Sequence, residues 1–477
     1  MAANEVYPIL VGAEQIVTES RVTTTNPYTK APIGEVCQAT PTDLEAAMTK
    51  ACAAFETTRK YAAYERAEPL ARAAELIQER EDDLARTIVE EVGKPIRFAR
   101  DEVKRSALTF TAAAEEARRI GGDVVPIDVS AASRRRVAFT RRFPIGVVAC
   151  VTPFNFPLNL AAHKVAPALA SGCTAVLKPP PQAPITALKL GSILVKAGVY
   201  PGAISVLPMG NDLAQKLVTD RRTAMLSFTG SAAVGWRLKG LIPDKRVILE
   251  MGGNAAAIVH SDADLAYAVP RLAMGAFAYA GQVCISVQRI LVQQSVYRAF
   301  AEKFMEETES KIVVGDPMDD ATVVGPMIDQ KSCLRILEWI EEAKAKGAQV
   351  EMFGVPASNV IPPTVILNAP KNLPVVCEEA FAPVVVIAPY DDFDDALAQA
   401  NDSAYGLQAG VFTRDIGLTM HAHEELRVGT VVANDYPTFR ADPMPYGGVK
   451  MSGYGREGVR YAIDQMTDER LLVVNLR

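Results

Sequence analysis

The chain has 477 residues, of which 22% are charged and 49% hydrophobic, and its formal net charge is -6. This length exceeds one ordinary core and predicts two or three domains with the composition of a globular protein. The net charge gives no overall attraction to nucleic acid or to an anionic membrane, so neither is an expected partner.

The N-terminal residues, MAANEVYPIL, lack a basic region followed by a long apolar one, so we expect no secretory signal. No stretch reaches the roughly 18 uninterrupted apolar residues of a membrane span. Seven cysteines without Cys-x-x-Cys spacing fit a reducing compartment and argue against disulfides or a zinc site. Four scattered histidines form no metal cluster, and DPMDD at 316–320 lacks calcium-loop spacing. We therefore expect a cytoplasmic protein without a metal.

Residues 43–120 are rich in Ala, Glu, Arg and Leu at helical spacing, which predicts a helical segment. After Gly121 the pattern changes to the short alternating runs DVVPIDVS and RRVAFTRRF, which predict a β-hairpin. The arginines of the second run alternate with apolar residues. We interpret this run first as a strand with a charged face, and the alternative is an anion site.

From Gly146 onward, apolar runs alternate with helical stretches. The runs are GVVACVT, CTAVLK, AISVLP, MLSFTG and RVILEMGG, with predicted helices at about 157–170, about 185–197, near Leu213 and from about Ala233. This alternation predicts an α/β fold with a doubly wound parallel sheet and helices on both faces. A second alternation contains RILVQ and VVVIAPY. The apolar run RLLVVNL (470–476) predicts a strand that needs a partner in this chain or in another subunit.

Two glycine-rich segments are candidates for phosphate binding. GYGREG (453–458) satisfies G-x-G-x-x-G, but no strand precedes it and no βαβ unit follows, so we interpret it as a loop glycine cluster. LSFTGSAAVG (226–235) ends a strand and starts a helix, where free N–H groups suit a phosphate. Gly230 allows close backbone approach, and the Ser231 hydroxyl is available to cap or bind.

Two polar residues follow predicted strands. Glu250, in LEMGGN, stands among apolar residues and glycines, and desolvation there would raise its pKa and make it a usable base. The alternative is a structural Glu paired with a nearby Lys or Arg. Asn155, in PFNFP, lies in a Pro-flanked turn at a strand's carboxyl end, where α/β sheets bind ligands. Its amide is a candidate donor to a developing oxyanion.

Cys284, in YAGQVCISVQR, is the candidate nucleophile. Spacing in one sequence does not show that Cys284, Glu250 and Asn155 converge. The competing base is His163, in NLAAHKVAPALA, which would form a Cys–His pair. We interpret His163 instead as a structural histidine on a helix packed against the sheet.

The chain resembles the aldehyde dehydrogenase superfamily over nearly its whole length, from TNPYT (25–29) to the terminal strand. The motifs occur in the family's order: PFNFP, LKPPPQ, FTGSAAVG, LEMGGN, GQVC, GDPMDDATVVGPMI, EEAFAPV, ANDSAYGL and PYGGVKMSGYGREG. The resemblance implies that Cys284 attacks the aldehyde and that Asn155 and the Cys284 backbone N–H form the oxyanion hole. It also implies that Glu250 activates the water that hydrolyses the thioester.

The resemblance implies NAD or NADP as cofactor. The implied contacts are Thr152, Pro153, Phe154, Lys178, Gly210, Gly230, Ser231, Glu379 and Phe381. It further implies a cofactor domain, a catalytic domain and a small β oligomerisation arm giving a homodimer or homotetramer. The expected bounds are 1–120 with 144–248, then 249–454, and for the arm 121–143 with 455–477.

The chain departs from the family pattern at two informative positions. Many NAD-preferring members have a glutamate three residues after the lysine that matches Lys178, and this chain has Pro181 there. We therefore expect NADP to be accepted. Relatives acting on phosphorylated aldehydes often have arginine before the nucleophile, where this chain has Val283.

Arg105 and Arg440 match other anion-contacting arginines of the glyceraldehyde-3-phosphate branch. The pattern is most similar to enzymes that oxidise short hydroxylated aldehydes such as lactaldehyde or glyceraldehyde. We expect oxidation of such an aldehyde, with or without an anionic group, to the carboxylic acid. The alternatives are an acyl-CoA-forming relative, which usually lacks the glutamate present here at 250, and a catalytically idle structural homologue.

Overall fold

The computed structural model describes residues 5–476. The predicted helical segment at 43–120 is confirmed, because four helices occupy most of residues 41–119. The third of them, α3 (Glu81–Val92), ends at Gly93, whose φ of 65° is the left-handed conformation that favours glycine at a helix end. The elements of the first half are β1 (Val6–Tyr7), β2 (Ile9–Val11), β3 (Glu14–Ile16), β4 (Arg21–Thr25), β5 (Pro32–Cys37), α1 (Pro41–Thr58), α2 (Ala63–Glu79), α3 (Glu81–Val92), α4 (Ile96–Arg119), β6 (Val124–Val125), β7 (Arg136–Pro144), β8 (Val147–Val151), α5 (Asn159–Ser171), β9 (Thr174–Lys178), α6 (Pro184–Lys196), β10 (Ile204–Val206), α7 (Asn211–Thr219), β11 (Thr223–Thr229), α8 (Ala232–Leu241) and β12 (Arg246–Glu250).

The second half repeats the alternation of strands and helices, as its sequence pattern predicts. Its elements are β13 (Ala255–Val259), α9 (Leu265–Phe277), β14 (Val287–Gln293), α10 (Gln294–Lys311), α11 (Gln330–Ala345), β15 (Gln349–Met352), β16 (Thr364–Leu367), α12 (Pro374–Cys377), β17 (Val384–Tyr390), α13 (Phe393–Asn401), β18 (Tyr405–Gly406), β19 (Gln408–Phe412), α14 (Ile416–Glu425), β20 (Thr430–Ala433), β21 (Val449–Lys450), β22 (Gly453–Tyr454), α15 (Val459–Gln465) and β23 (Thr467–Asn475).

Two large sheets organise these elements. The first has the strand order β22-β12-β11-β8-β9-β10-β2-β3, with parallel pairing from β12 to β10. The second has the order β15-β16-β17-β14-β13-β19-β20 and is parallel except for the edge strand β15. The predicted α/β fold with doubly wound parallel sheets is therefore confirmed.

Strand β8 shows why its sequence is continuously apolar. Alternate side chains of a strand point to opposite faces. Val148 and Cys150 pack into the core on one face of the first sheet, and Val147 and Ala149 pack into the core on the other. Helices cover both faces, so every residue of β8 is buried.

A third, small sheet joins the predicted hairpin to the C-terminal strand. Its order is β23-β7-β6, and Leu472 pairs with Phe139 in the antiparallel register of β23 and β7. The C-terminal apolar run therefore has a partner within the chain, and the basic run forms a strand as predicted. Strand β23 is an edge strand whose apolar side chains remain exposed, Leu471 by 56% and Leu472 by 52%. None of the helices among residues 5–476 is long and apolar enough to cross a membrane.

Candidate active site

The carboxyl ends of β8, β9 and β11 open onto a cavity of about 620 Å³, which we call the first cavity. Parallel strands bring their carboxyl ends to the same edge of a sheet, and ligands of open α/β sheets bind there. Predicted site residues that line it are Thr152, Pro153, Phe154, Asn155, Lys178, Gly230, Ser231, Cys284, Glu379 and Phe381. Gly210 does not line it, because the chain enters α7 with Gly210 exposed and Asn211 turned toward the cavity.

Lys178 and the start of α8 supply positive charge to the first cavity. The Lys178 ammonium group makes no ion pair or hydrogen bond with any of residues 5–476, and burial lowers its pKa to about 8. Ser231 is the N-cap of α8, and its exposed side chain makes no capping hydrogen bond. A helix N-terminus attracts anions through its free N–H groups and dipole. These groups suit a phosphate.

None of residues 5–476 places a carboxylate in the part of the first cavity around Lys178. Pro181, at the position where many NAD-preferring family members have a glutamate, lines the first cavity, and so do Gln182 and Arg237. The Arg237 guanidinium donates to Gln215 Oε1 at 2.7 Å. Among the described residues, Glu379 is the one acidic side chain that lines this cavity.

Glu379 lies on the same cavity wall as Cys284. Its Oε1 accepts the Gly253 N–H at 3.0 Å, and burial raises the pKa of its carboxyl to about 7. A Cβ atom at Gly252 would lie 2.0 Å from Glu379 Oε2, so a side chain at position 252 would displace this carboxylate. The Phe381 ring meets the Phe154 ring edge to face with centroids 5.9 Å apart. The two rings and Glu379 line the first cavity together with Cys284.

Cys284 lines both the first cavity and a second cavity of about 250 Å³. Tyr279, Ala280 and Gly281, which precede it, all have positive φ and turn the chain sharply. Its Sγ lies 3.0 Å from the Tyr446 hydroxyl oxygen. Burial raises the pKa of the thiol to about 11, although the Tyr446 hydrogen bond and the positive charge of Arg440 oppose this rise.

Asn155 lines the first cavity together with Cys284, and its role as an oxyanion donor stays a prediction. Its Nδ2 donates to the Gln282 carbonyl at 3.0 Å. Gln282 is fully buried, and its own Oε1 accepts the Ile328 N–H at 2.9 Å. An amide nitrogen carries two N–H groups, so one remains for a substrate oxygen.

Glu250 ends β12 but lines neither cavity. It is buried, and both carboxyl oxygens lack a hydrogen-bond partner among residues 5–476. A Cβ atom at Gly447 would lie 2.8 Å from its Oε1, so the side chain packs against that glycine. Burial, and then the negative charge of Glu457, raise its pKa well above the ordinary value, while Arg440 and Lys164 oppose this. The structure therefore gives Glu250 the raised pKa expected of a base but leaves it outside both cavities.

Arg105, Arg440 and Val283 line the second cavity together with Cys284. Arg105 donates through Nε and Nη2 to Asp442 at 3.2 and 2.8 Å. Arg440 donates through Nη2 to Glu457 at 3.3 Å, and its buried Nε has no partner among the described residues. A guanidinium has five N–H donors, so each arginine has N–H groups that these ion pairs do not use.

None of the four histidines forms a hydrogen bond with the Cys284 sulfur. His163 Nε2 lies 2.9 Å from Asp442 Oδ1, and the ring is buried in α5, so the structural interpretation of His163 holds.

GYGREG forms the short strand β22, antiparallel to β12, and then the loop into α15, outside the first cavity. Within residues 5–476, no group of three His, Cys, Asp or Glu side chains could hold a metal.

Sequence reasoning missed Tyr446, Asp442 and Glu457. Tyr446 lies in the quoted segment PYGGVKMSGYGREG, and Glu457 lies in its GYGREG part. Each is a polar or charged residue among glycines, which was the available signal. Asp442 gave no signal, because its partners Arg105 and His163 are far away in the sequence.

The sequence model of the Aldehyde dehydrogenase family matches residues 16–472. The chain therefore belongs to the aldehyde dehydrogenase family, and it is an enzyme of that class. It is 44% identical over 471 residues to the 3-sulfolactaldehyde dehydrogenase of Priestia megaterium, covering 98% of each chain.

The fold of this chain is also similar to two solved structures. Aldehyde dehydrogenase 21 of Physcomitrella patens, in complex with the reaction product succinate, has a TM-score of 0.96 and 40% identity and covers 99% of this chain and 98% of its own. Glyceraldehyde-3-phosphate dehydrogenase GapN of Methanocaldococcus jannaschii, complexed with NADP, has a TM-score of 0.92 and 35% identity and covers 96% of this chain and all of its own.

Proposed function

We propose that this enzyme oxidises a short aldehyde bearing an anionic group, such as a sulfonate or carboxylate, to the corresponding acid. The observation that carries the proposal is that Arg105 and Arg440 line the same small cavity as Cys284 and keep free N–H donors. Charge-assisted hydrogen bonds from arginine suit carboxylate and sulfonate oxygens. The similarity to enzymes named for 3-sulfolactaldehyde and bound to succinate supports this substrate class.

Cys284 is the proposed nucleophile. Its Sγ attacks the aldehyde carbon, a C–S bond forms, and the carbonyl oxygen takes the electron pair. The free N–H of Asn155 and the backbone N–H of Cys284 then donate to this oxyanion, which is the largest single source of stabilisation in many acyl-transfer sites. The Gln282 carbonyl, 3.0 Å from Asn155 Nδ2, fixes the orientation of that amide.

NADP or NAD, when bound in the first cavity, supplies the acceptor for the hydride that leaves the substrate carbon. Lys178, Ser231 and the α8 N-terminus would hold its phosphates, and Glu379 would bind the ribose next to Cys284. The fit is supported by the unpaired Lys178 ammonium group and by the absence of other lining carboxylates among the described residues. Because Pro181 replaces an acid beside Lys178, the wall tolerates an extra phosphate and NADP is accepted.

Glu250 is the proposed base for thioester hydrolysis. Its side chain must first turn from its packing against Gly447 toward Cys284. There it accepts a proton from water as the water oxygen bonds to the thioester carbon. The C–S bond then breaks, the carboxylic acid leaves, and the sulfur regains its electron pair.

The testing experiment measures formation of reduced nicotinamide with 3-sulfolactaldehyde, succinate semialdehyde, lactaldehyde and a long-chain aldehyde, each with NAD and with NADP. The proposal expects the anionic short aldehydes to have the highest kcat/KM. A clear preference for the long-chain aldehyde would reject the substrate class. Acyl product formed only in the presence of coenzyme A would instead identify an acyl-CoA-forming enzyme.

A further inference from the structure

The Tyr446 hydroxyl contacts the reacting atom of the proposed mechanism. Its oxygen lies 3.0 Å from Cys284 Sγ, and among residues 5–476 it is the one side-chain hydrogen-bond partner of that sulfur. Tyr446 is itself buried, with 2% of its surface exposed. The two groups are 162 residues apart in sequence, so the fold brings them together.

Other groups hold the Tyr446 ring in place. The Arg440 guanidinium carbon lies 3.7 Å from the ring centroid. The Tyr446 backbone N–H donates to the Glu457 carbonyl at 3.0 Å, and the Glu457 N–H donates back to the Tyr446 carbonyl at 2.7 Å. A ring fixed on its face and along its backbone presents its hydroxyl to the sulfur at a defined position.

We propose that Tyr446 is a catalytic residue that donates a hydrogen bond to the Cys284 thiolate and so increases the fraction of the nucleophile that is ionised. This role rests on the proposed function only in taking Cys284 as the nucleophile. No titratable base contacts the sulfur among the described residues, so the thiolate depends on groups that stabilise its charge. Among the side chains of residues 5–476, the Tyr446 hydroxyl is the one of these groups that hydrogen-bonds to the sulfur.

The charges around the sulfur make the donor necessary. Burial disfavours the thiolate most strongly, and the carboxyl groups of Glu379 and Glu250 disfavour it further. Arg440 favours the thiolate but lies over the Tyr446 ring and forms no hydrogen bond with the sulfur. Burial also raises the pKa of the Tyr446 phenol well above its ordinary value, so the phenol keeps its proton and can donate it to a thiolate.

The reverse direction of this hydrogen bond would have the opposite effect on the reactivity of Cys284. If the thiol donated to the phenol oxygen, the contact would hold the sulfur in its protonated form. Removing the hydroxyl would then make Cys284 more reactive. The direction of the change in reactivity therefore distinguishes an activating hydroxyl from an inhibiting one.

The experiment measures alkylation of Cys284 by iodoacetamide in the full-length protein without substrate, from pH 6 to pH 10. The modified Cys284 peptide is quantified by mass spectrometry, because the chain has six further cysteines. In Tyr446→Phe, the loss of one hydrogen bond to a charged group should lower the thiolate fraction at each pH about tenfold. The alkylation rate at pH 7.5 should fall by only about threefold, because the less acidic thiolate is a better nucleophile and offsets part of this loss.

Tyr436→Phe is the matched control, since Tyr436 lines the same cavity and its hydroxyl does not contact the sulfur. Its alkylation profile should equal that of the wild type. An unchanged or faster profile in Tyr446→Phe would overturn the proposal.

A second variant covers the case in which Tyr446→Phe does not fold. 3-Fluorotyrosine at position 446 keeps the ring and strengthens the donor, so the thiolate fraction should increase and alkylation of Cys284 at pH 7.5 should be faster. A slower rate would overturn the proposal. Because no aldehyde is present, these results are independent of the substrate panel: failure of the panel rejects the substrate class and leaves the alkylation result standing.

Discussion

Replacing Arg105 by Gln should selectively weaken turnover of anionic aldehydes. Arg105 uses Nε and Nη2 for Asp442 and has Nη1 free for the substrate in the second cavity. A hydrogen bond between charged groups contributes about 1.5–3 kcal/mol. The Arg105 side chain is 28% exposed, so water screens part of this energy and the lower figure applies. About 1.5 kcal/mol corresponds to a roughly tenfold loss in kcat/KM.

The assay compares kcat/KM for 3-sulfolactaldehyde with kcat/KM for uncharged lactaldehyde. The sulfonated substrate should lose about tenfold and lactaldehyde less than about threefold, because only the first has an anion to bind. Asp442 keeps Asn159 and His163 as partners at 3.1 and 2.9 Å, so the fold should survive. Thermal unfolding checks this.

Arg100→Gln is the matched control for this prediction. Arg100 is on the same helix, α4, but pairs with Asp320 at 2.6 Å and does not line the cavity. Its replacement should leave the ratio of the two kcat/KM values unchanged. An equal loss on both substrates in Arg105→Gln would refute the anion-binding role and assign Arg105 a structural one.

Three further predictions concern other parts of the molecule. Glu250→Gln should give a burst of reduced nicotinamide followed by slow turnover, and an unchanged steady-state rate in stopped-flow measurements would mean that another base serves. Because burial lowers the pKa of Lys178 to about 8, its ammonium group loses charge as pH rises through that value. The KM for NADP should therefore rise between pH 7 and pH 9 more than the KM for NAD, and Lys178→Met should remove this difference; a strong preference for NAD at pH 7 would contradict the reasoning. The exposed apolar edge of β23 is the proposed subunit contact, so Leu472→Lys should reduce the mass measured by light scattering, with exposed Val355→Lys as control.

Much of the fold and part of the site followed from local sequence patterns. Continuous apolar runs predicted the buried parallel strands, and Asn155 and Ser231, which follow two of these strands, were therefore expected at the carboxyl ends of the sheet, whereas Lys178 was implied only by the family resemblance. Their convergence needs only the rule that parallel strands end together. Glu250 also ends a strand, but the direction of its side chain depends on packing against Gly447, nearly 200 residues later. Local pattern carries no information on that contact.

The buried charges beside the active site explain why the resting position of Glu250 is compatible with its proposed role. Glu457 has its charge balanced by Lys164, whose Nζ donates to it at 2.7 Å, and by Arg440. Glu250 has no such hydrogen bond, so burial and the neighbouring Glu457 charge favour its neutral form. A neutral carboxyl costs little to bury, whereas a carboxylate needs water or a partner. Turning into the cavity would bring water to the carboxyl group and favour its ionised form, so in the proposed mechanism Glu250 can accept a proton only beside the thioester.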